Sequence, residues 1–247
     1  MGRRTRKSEI AIDLPPPFRL IKLREVGEAF GHAQTIAARE GAGTLVCVGR
    51  FGVVEFAMVL EPEEPLRLAR RAFYAGLNAL GDALTVHAPP ARPITFRWPD
   101  AILVDGGLVG GGRLAWPKVA SEDQAPDWMV FGGMIRTLSV GQDEGVHSVV
   151  SALQDAGFLE LNSDHLIESF ARHLMSHIDA WQSLGFAAIA RTYVQRLVLE
   201  KGATARIAAN GDLLMQWKGA DGPERHSLVQ ALARPTWLNN GGRGRGI

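Results

Sequence analysis

The sequence is poor in cysteine, and it has neither a long apolar run nor a marked excess of charge of one sign. Cys47 is the only cysteine among 247 residues, so no internal disulfide can form, which suits a reducing compartment such as the cytoplasm. No stretch approaches the roughly 20 apolar residues of a membrane-spanning helix, and the basic N-terminus lacks the apolar core of a secretory signal. The formal net charge of +1 gives no overall field towards nucleic acid or membrane. We therefore expect a cytoplasmic protein that binds neither.

Hydrophobic residues make up 46% of the chain and charged residues 21%, which is ordinary for a protein with a packed core. Apolar residues at helical spacing predict helices over these ranges: 26–40, 62–84, 151–158 and 162–198, the last one broken near Gly185. Apolar and β-branched runs between turn residues predict strands over these ranges: 44–48, 53–60, 94–98, 101–106, 112–117 and 127–140. Residues 203–219 are typical of a β-hairpin, with Asn-Gly at its turn.

The elements lack a regular βαβ alternation. This order indicates an α+β fold, with a mixed, largely antiparallel sheet and helices packed on one face. We predict four parts in the chain, which are a flexible N-terminal segment (1–17), a main domain (18–195), a small C-terminal β domain (196–238) and a flexible tail (239–247). The proline run at the end of the first part cannot enter a helix or a central strand.

The stretch FRWPDAILVDGGLVGGG, residues 96–112, combines a charged strand end with a glycine-rich hairpin. It resembles the signature of the biotin–protein ligases, in which K-W-P-N-D is followed by an apolar run, D-G and K-x-x-G. The order of the flanking strands and helices is also similar, over roughly residues 18–218. The resemblance implies the biotin/lipoate protein ligase fold. Lipoate–protein ligases share this fold, so biotin and lipoate are both candidate substrates.

The resemblance also implies a chemistry. In the family a carboxylic acid attacks the α-phosphate of ATP, and the acyl-adenylate then passes its acyl group to a lysine of an acceptor carrier protein. Such a site needs cations and Mg²⁺ against the phosphate charge, and a loop that keeps water from the adenylate. ATP and Mg²⁺ are therefore the implied cofactors, and a small carboxylic acid and a carrier protein the implied partners. A homodimer paired through an exposed sheet edge is compatible with the fold.

The sequence departs from the family signature at three places. Leu108 stands where K-x-x-G has its lysine, and leucine binds neither an acyl nor a phosphate oxygen. Asp100 stands at the family's asparagine and Ala101 at its aspartate, so the carboxylate comes one residue early, which on a strand puts it on the opposite face. Of the glycine- and arginine-rich lid, only GRFG at residues 49–52 remains.

The remaining arginines predict a site with relocated cations. We expect Arg97 and Arg113 to hold phosphate and Asp100 to bind Mg²⁺ or a ribose hydroxyl, as the catalytic set. Arg113 reaches the site only if the glycines before it form a bulge or turn. The remaining predicted binding residues are Arg50, Trp98, Gly110, Gly111, Gly112 and Arg136.

Three alternatives remain open. The missing lysine and shortened lid favour a non-catalytic relative that binds an acyl cofactor, a nucleotide or an acylated carrier protein, whereas the retained charges and glycines favour the enzyme. Cys47 is a candidate nucleophile of the octanoyl transferase type, but its apolar surroundings favour a buried structural role. His173 and His177 have the i, i+4 spacing of a metal pair, but they flank an apolar stripe and lack H-E-x-x-H, which favours a helix flank.

Overall fold

The computed structural model describes residues 12–25, 27–139, 150–158 and 161–238. Seven strands form the main sheet: β1 Arg19–Leu23, β2 Thr44–Arg50, β3 Val53–Leu60, β4 Ile94–Arg97, β5 Ala101–Val104, β6 Gly107–Ala115 and β7 Met129–Arg136. Their order across the sheet is β1-β2-β3-β7-β6-β5-β4. β1 pairs with β2 in parallel and the other neighbours are antiparallel. The predicted mixed, largely antiparallel sheet is confirmed.

The described helices are α1 Ala29–Glu40, α2 Leu66–Ala69, α3 Ala72–His87, α4 Ser163–Leu184, α5 Phe186–Arg196 and α6 Leu228–Leu232. Helices α3, α4 and α5 pack on one face of the main sheet, over an aromatic core that includes Phe56, Phe131 and Phe170. α1 covers β2, β3 and β7 on the opposite face with its small residues. None of these described helices therefore packs mainly on the face of β5 and β6 that lies on the α1 side.

Helix boundaries follow local capping. Asn162 accepts a hydrogen bond from the N–H of Asp164 and begins α4, and Gly185, at φ 78°, separates α4 from α5 as predicted. The predicted helix 62–84 is divided into α2 and α3. The predicted helix 151–158 consists of turns instead, closed by hydrogen bonds between residues three apart and ended at Gly157, which has φ 89°.

The β5–β6 hairpin turns tightly at two residues with positive φ. Asp105 has φ 50° and Gly106 has φ 81°, the pattern of a type I′ turn, which Asp-Gly favours. The pairing of β5 with β6 shifts between Ile102 and Leu103, where β6 carries an extra residue. The bulge resets which residues of β6 lie on each face of the sheet.

A second sheet follows α5. Its strands are β8 Ala203–Ile207, β9 Leu213–Trp217 and β10 Glu224–His226, all antiparallel in the order β10-β9-β8. The hairpin predicted in this region is confirmed, and it gains a third strand. Tyr74 of α3 donates its hydroxyl to the carbonyl of Gly211 at 2.6 Å, which ties the β8–β9 turn to the main core.

Part of the segment predicted to be flexible lies against α4. Ile12 and Leu14 pack on the core, and Arg172 of α4 binds the carboxylate of Asp13 at 2.7 Å. The predicted tail 239–247 and residues 1–11 lie outside the described residues. None of the helices in the described ranges combines the length and the apolarity that crossing a membrane requires.

Candidate ligand-binding site

The turn between β4 and β5 places the predicted carboxylate next to the C-terminal segment. Asp100 lies in this turn rather than on a strand, and its backbone carbonyl accepts the N–H of Gly112 at 2.9 Å. Its fully buried carboxylate accepts hydrogen bonds from Thr236, from N–H at 3.0 Å and from Oγ1 at 2.6 Å. Burial raises the pKa of Asp100 to about 6, although the Thr236 hydrogen bonds act in the opposite direction.

Leu108 lies at the centre of an apolar cluster. Ala101, Leu108 and Trp237 are fully buried together, with Met134 packed against them. The indole Nε1 of Trp237 donates to the carbonyl of Gly112 at 3.1 Å. Where the family has a lysine, this chain therefore has a leucine that packs with a tryptophan from the far end of the sequence.

The three predicted glycines lie in different surroundings. A Cβ at Gly110 would overlap the backbone of β7, and one at Gly112 would meet Phe131 on the helical side at 3.1 Å. A Cβ at Gly111 would overlap both the carbonyl of Asp100 and the indole of Trp237. Only at Gly111 does the missing side chain make room on the Leu108 face, and Trp237 occupies that room.

Arg113 lies on the same face as Gly111, two residues further along β6. Its Nη2 atom binds Glu28 Oε1 at 2.7 Å, and its guanidinium lies over the ring of Phe30, 4.2 Å from the ring centroid. The cation is therefore held by the residues that begin α1. Its charge is already balanced by a carboxylate.

Arg50 is likewise compensated. Its Nη1 lies 3.0 Å from Glu55 Oε2, and its Nη2 donates to the carbonyl of Gly27. Glu55 is 1% exposed and also accepts the N–H of Ala29 at 2.7 Å. Arg50 thus balances a buried carboxylate beneath α1.

Arg136, like the exposed Arg97, has no carboxylate partner among the described residues, and it is the more buried of the two. Its Nη2 lies 3.5 Å from the carbonyl of Trp237, and its buried Nη1 has no hydrogen-bond partner in the described part of the chain. Burial lowers the pKa of Arg136.

Arg97 and Trp98 occupy the margins of this face. Arg97 is exposed and pairs in register with Ala101, so it belongs to the Leu108 side of the sheet at its outer strand. Trp98 donates its indole N–H to the hydroxyl of Tyr74 at 3.2 Å and packs near His226, towards the helical side. The structure therefore brings Asp100, Gly111 and Arg136 together around Trp237 and leaves Trp98 apart from them.

Thr236 and Trp237 are the site residues that sequence reasoning missed. The available signal was a lone Pro-Thr-Trp stretch, residues 235–237, following the small β domain. Two surface pockets of the described chain lie away from this face. They are on the small sheet, around Arg206 and Leu214, and beside the proline-rich loop 88–93.

The two alternative chemistries receive no support from the geometry. Cys47 is buried, and this burial raises the pKa of its thiol to about 11, the reverse of what a nucleophilic thiolate needs. His177 Nε2 lies 2.6 Å from Asp82 Oδ2, and the other oxygen of Asp82, Oδ1, binds Arg196. The described residues contain no group of three or more His, Cys, Asp or Glu that could hold a metal ion.

Comparison with known proteins identifies the family and the fold. The family model described as "Biotin/lipoate A/B protein ligase family" matches residues 14–195, well over half of the chain. A biotin protein ligase-like protein of unknown function from Silicibacter sp. TM1040 superposes with a TM-score of 0.74 at 23% identity, covering 87% of this chain and 96% of that one. No curated protein matches the sequence significantly.

Two biotin protein ligases share the fold at lower identity. The Aquifex aeolicus enzyme in complex with biotin and ATP superposes with a TM-score of 0.60 at 15% identity, covering 84% of this chain and 94% of that one. The Leishmania major enzyme with biotinyl-5-AMP has a TM-score of 0.52 at 17% identity, with 86% and 99% covered. At such identities the likeness establishes the architecture and does not assign residue roles.

Proposed function

Because the chain belongs to the biotin/lipoate A/B protein ligase family, we propose that it binds a small carboxylic acid of the biotin or lipoate type on the Leu108 face of β5–β7. Similar ligases are known in complex with biotin, ATP and biotinyl-5-AMP, which supports biotin as the first acid to try. The bound acid lies against the backbone at Gly111, between Asp100 and Arg136.

The observation that carries this proposal is the unpaired guanidinium of Arg136. Arg50 and Arg113 are balanced by Glu55 and Glu28, whereas the buried Nη1 of Arg136 has no partner among the described residues. A buried charged donor without an acceptor is unfavourable by roughly 1–3 kcal/mol or more. A carboxylate or phosphate oxygen of a ligand supplies the missing acceptor, because a charge-assisted hydrogen bond to guanidinium is among the stronger ones.

Other polar groups on this face orient the ligand. The Gly112 carbonyl and the Asp100 carboxylate are both acceptors, and they call for N–H or O–H donors on the ligand. Arg113 lies in register with Gly132 of β7. Gly132 precedes Arg136 by four residues, so the backbone positions of Arg113 and Arg136 are about 13 Å apart along the strand direction. A ligand as long as an acyl-adenylate extends from Arg136 towards Arg113.

ATP-dependent activation of the acid, followed by transfer to a lysine of an acceptor carrier protein, is the second candidate. The exposed Arg97 favours it, since the register with Ala101 puts this cation on the Leu108 face. Two observations weigh against it: Leu108 stands in the position of the family lysine and is buried, and Arg50 and Arg113 are already paired. We therefore propose acid binding in preference to ATP-dependent catalysis.

Resident Mg²⁺ does not fit the described residues. Asp100 is a single carboxylate whose two oxygens already accept from Thr236, and the described residues offer no cluster of three ligands. A divalent cation at this site would therefore arrive with the nucleotide.

Calorimetry with biotin, lipoate and octanoate, each with and without ATP and Mg²⁺, tests the proposal. We expect one of the acids to bind and Arg136→Gln to weaken that binding by about tenfold or more. The matched control is Arg206→Gln, which removes an exposed arginine of β8. Equal affinity in wild type and Arg136→Gln would refute the anion-binding role. Pyrophosphate exchange in the same samples separates the candidates, since only the ligase shows it.

A further inference from the structure

The chain after α6 returns to the main sheet and ends its described part on the proposed acid-binding face. We infer that residues 234–238 form a built-in blocker of this site, in which Trp237 occupies the place of the acid and must leave before the acid binds. The inference rests on the proposed function, because it concerns the regulation of the same site.

Trp237 lies at the part of β6 that β5 does not cover. β5 begins at Ala101, so beyond Gly111 strand β6 has no strand partner on that side. The carbonyl of Gly112 is consequently free of the sheet ladder, and the indole N–H of Trp237 binds it at 3.1 Å. The ring then fills the room above Gly111, and the side chain is completely buried.

Residues 234–238 bind the same polar groups that a bound acid would use. Thr236 satisfies both oxygens of Asp100, and the carbonyl of Trp237 is the one described acceptor near Arg136. A bound acid needs Arg136 for its anionic group and the room at Gly111 for its body, and an acid with N–H donors, such as biotin, also needs the acceptors at Gly112 and Asp100. Ligand and segment therefore exclude one another.

Residues 234–238 are held weakly enough on the sheet to be displaced. Of its residues only Trp237 is buried, and Arg234, Thr236 and Leu238 are exposed. At 3.5 Å the bond from Arg136 to the Trp237 carbonyl is long, and Nη1 remains unsatisfied. A ligand anion pairs with Arg136 better than a distant carbonyl does, so ligand binding competes with the docked segment.

Three full-length variants test the inference. Thr236→Val removes the side-chain hydrogen bond to Asp100 without a loss of volume, and Trp237→Ala removes the occupant. Leu238→Ala is the matched control, because this neighbour is 38% exposed. Two measurements are made on each protein, namely the rate of chymotryptic cleavage after Trp237 (where that residue is present) and calorimetric binding of biotin, lipoate and octanoate in the presence of ATP and Mg²⁺.

We expect slow cleavage in wild type, acceleration by Thr236→Val, and further acceleration when the bound acid is added. We also expect Trp237→Ala and Thr236→Val to bind the acid at least about tenfold more tightly than wild type, because a site that is mostly blocked has a proportionally weakened apparent affinity. Leu238→Ala is expected to bind as wild type does.

The remaining outcomes overturn the inference in distinguishable ways. Fast cleavage in wild type means that the segment is not docked. Equal acid affinity in wild type, Trp237→Ala and Thr236→Val means that the docked segment does not block the site, and the proposed function then survives. If no acid binds to any variant, including Trp237→Ala, the blocker and the acid-binding function both fail.

Discussion

Arg50 and Glu55 form an ion pair across the β2–β3 hairpin, with 3.0 Å between Arg50 Nη1 and Glu55 Oε2. Glu55 is 1% exposed and receives the N–H of Ala29 at the start of α1. The carboxylate accepts the N–H at the helix start, and the arginine pairs with its charge. An arginine that was expected to be a binding cation is thus part of the packing of α1.

Arg50→Ala leaves the Glu55 carboxylate buried beside a single backbone donor. We expect the free energy of unfolding to fall by about 1–3 kcal/mol, less than for a fully buried pair because Arg50 is partly exposed. Urea denaturation of wild type and variant measures the difference.

The double variant Arg50→Ala/Glu55→Gln is the control. It removes the uncompensated charge, so part of the lost stability is expected to return. The single variant Glu55→Gln is measured as well. If the double variant is less stable than Arg50→Ala by as much as Glu55→Gln is less stable than wild type, the two side chains do not interact.

Asp100 makes stability depend on pH in the direction opposite to an ion-paired carboxylate. Burial raises its pKa from 3.8 to about 6, so between these values the folded protein binds a proton that the unfolded chain has lost. The free energy of unfolding therefore falls as pH rises through this window, by about 3 kcal/mol in total from this group.

Asp100→Asn removes that dependence. The amide oxygen accepts the N–H of Thr236 and the amide nitrogen donates to its hydroxyl, so the docking of the segment is retained. Urea denaturation at pH 4, 6 and 7.5 is expected to show the variant gaining stability relative to wild type as pH rises. A stability difference that stays constant with pH would contradict the raised pKa.

Much of the fold could be predicted, because it depends on local sequence patterns. Apolar spacing located α3 and α4, and Gly185 indicated the break after α4. These features depend on residues within a few positions of one another, which is the range that propensity and periodicity describe. The β5–β6 turn was expected in the glycine stretch between 106 and 112 and lies instead at Asp105 and Gly106, so that location was wrong.

The candidate site could be predicted only in part, because its decisive contacts join distant segments. Trp237 and Gly112 are 125 positions apart, and Arg113 and Glu28 are 85 apart. Arg113 was a candidate phosphate ligand from its sequence position alone, whereas its carboxylate partner becomes evident only when α1 packs on the sheet. A charge count of arginines overestimates the free cations for this reason.

The leucine at the family's lysine position gives a test of whether the site is adapted to lysine at all. Leu108→Lys places an ammonium group in the apolar cluster of Ala101, Met134 and Trp237. We expect the free energy of unfolding to fall by about 3 kcal/mol or more, with Leu108→Met as a volume-matched control near wild type. We also expect no gain of pyrophosphate exchange, because Trp237 fills the space that a nucleotide would need. Exchange appearing in Leu108→Lys alone would mean that the other catalytic groups are in place and that the leucine alone had silenced the enzyme.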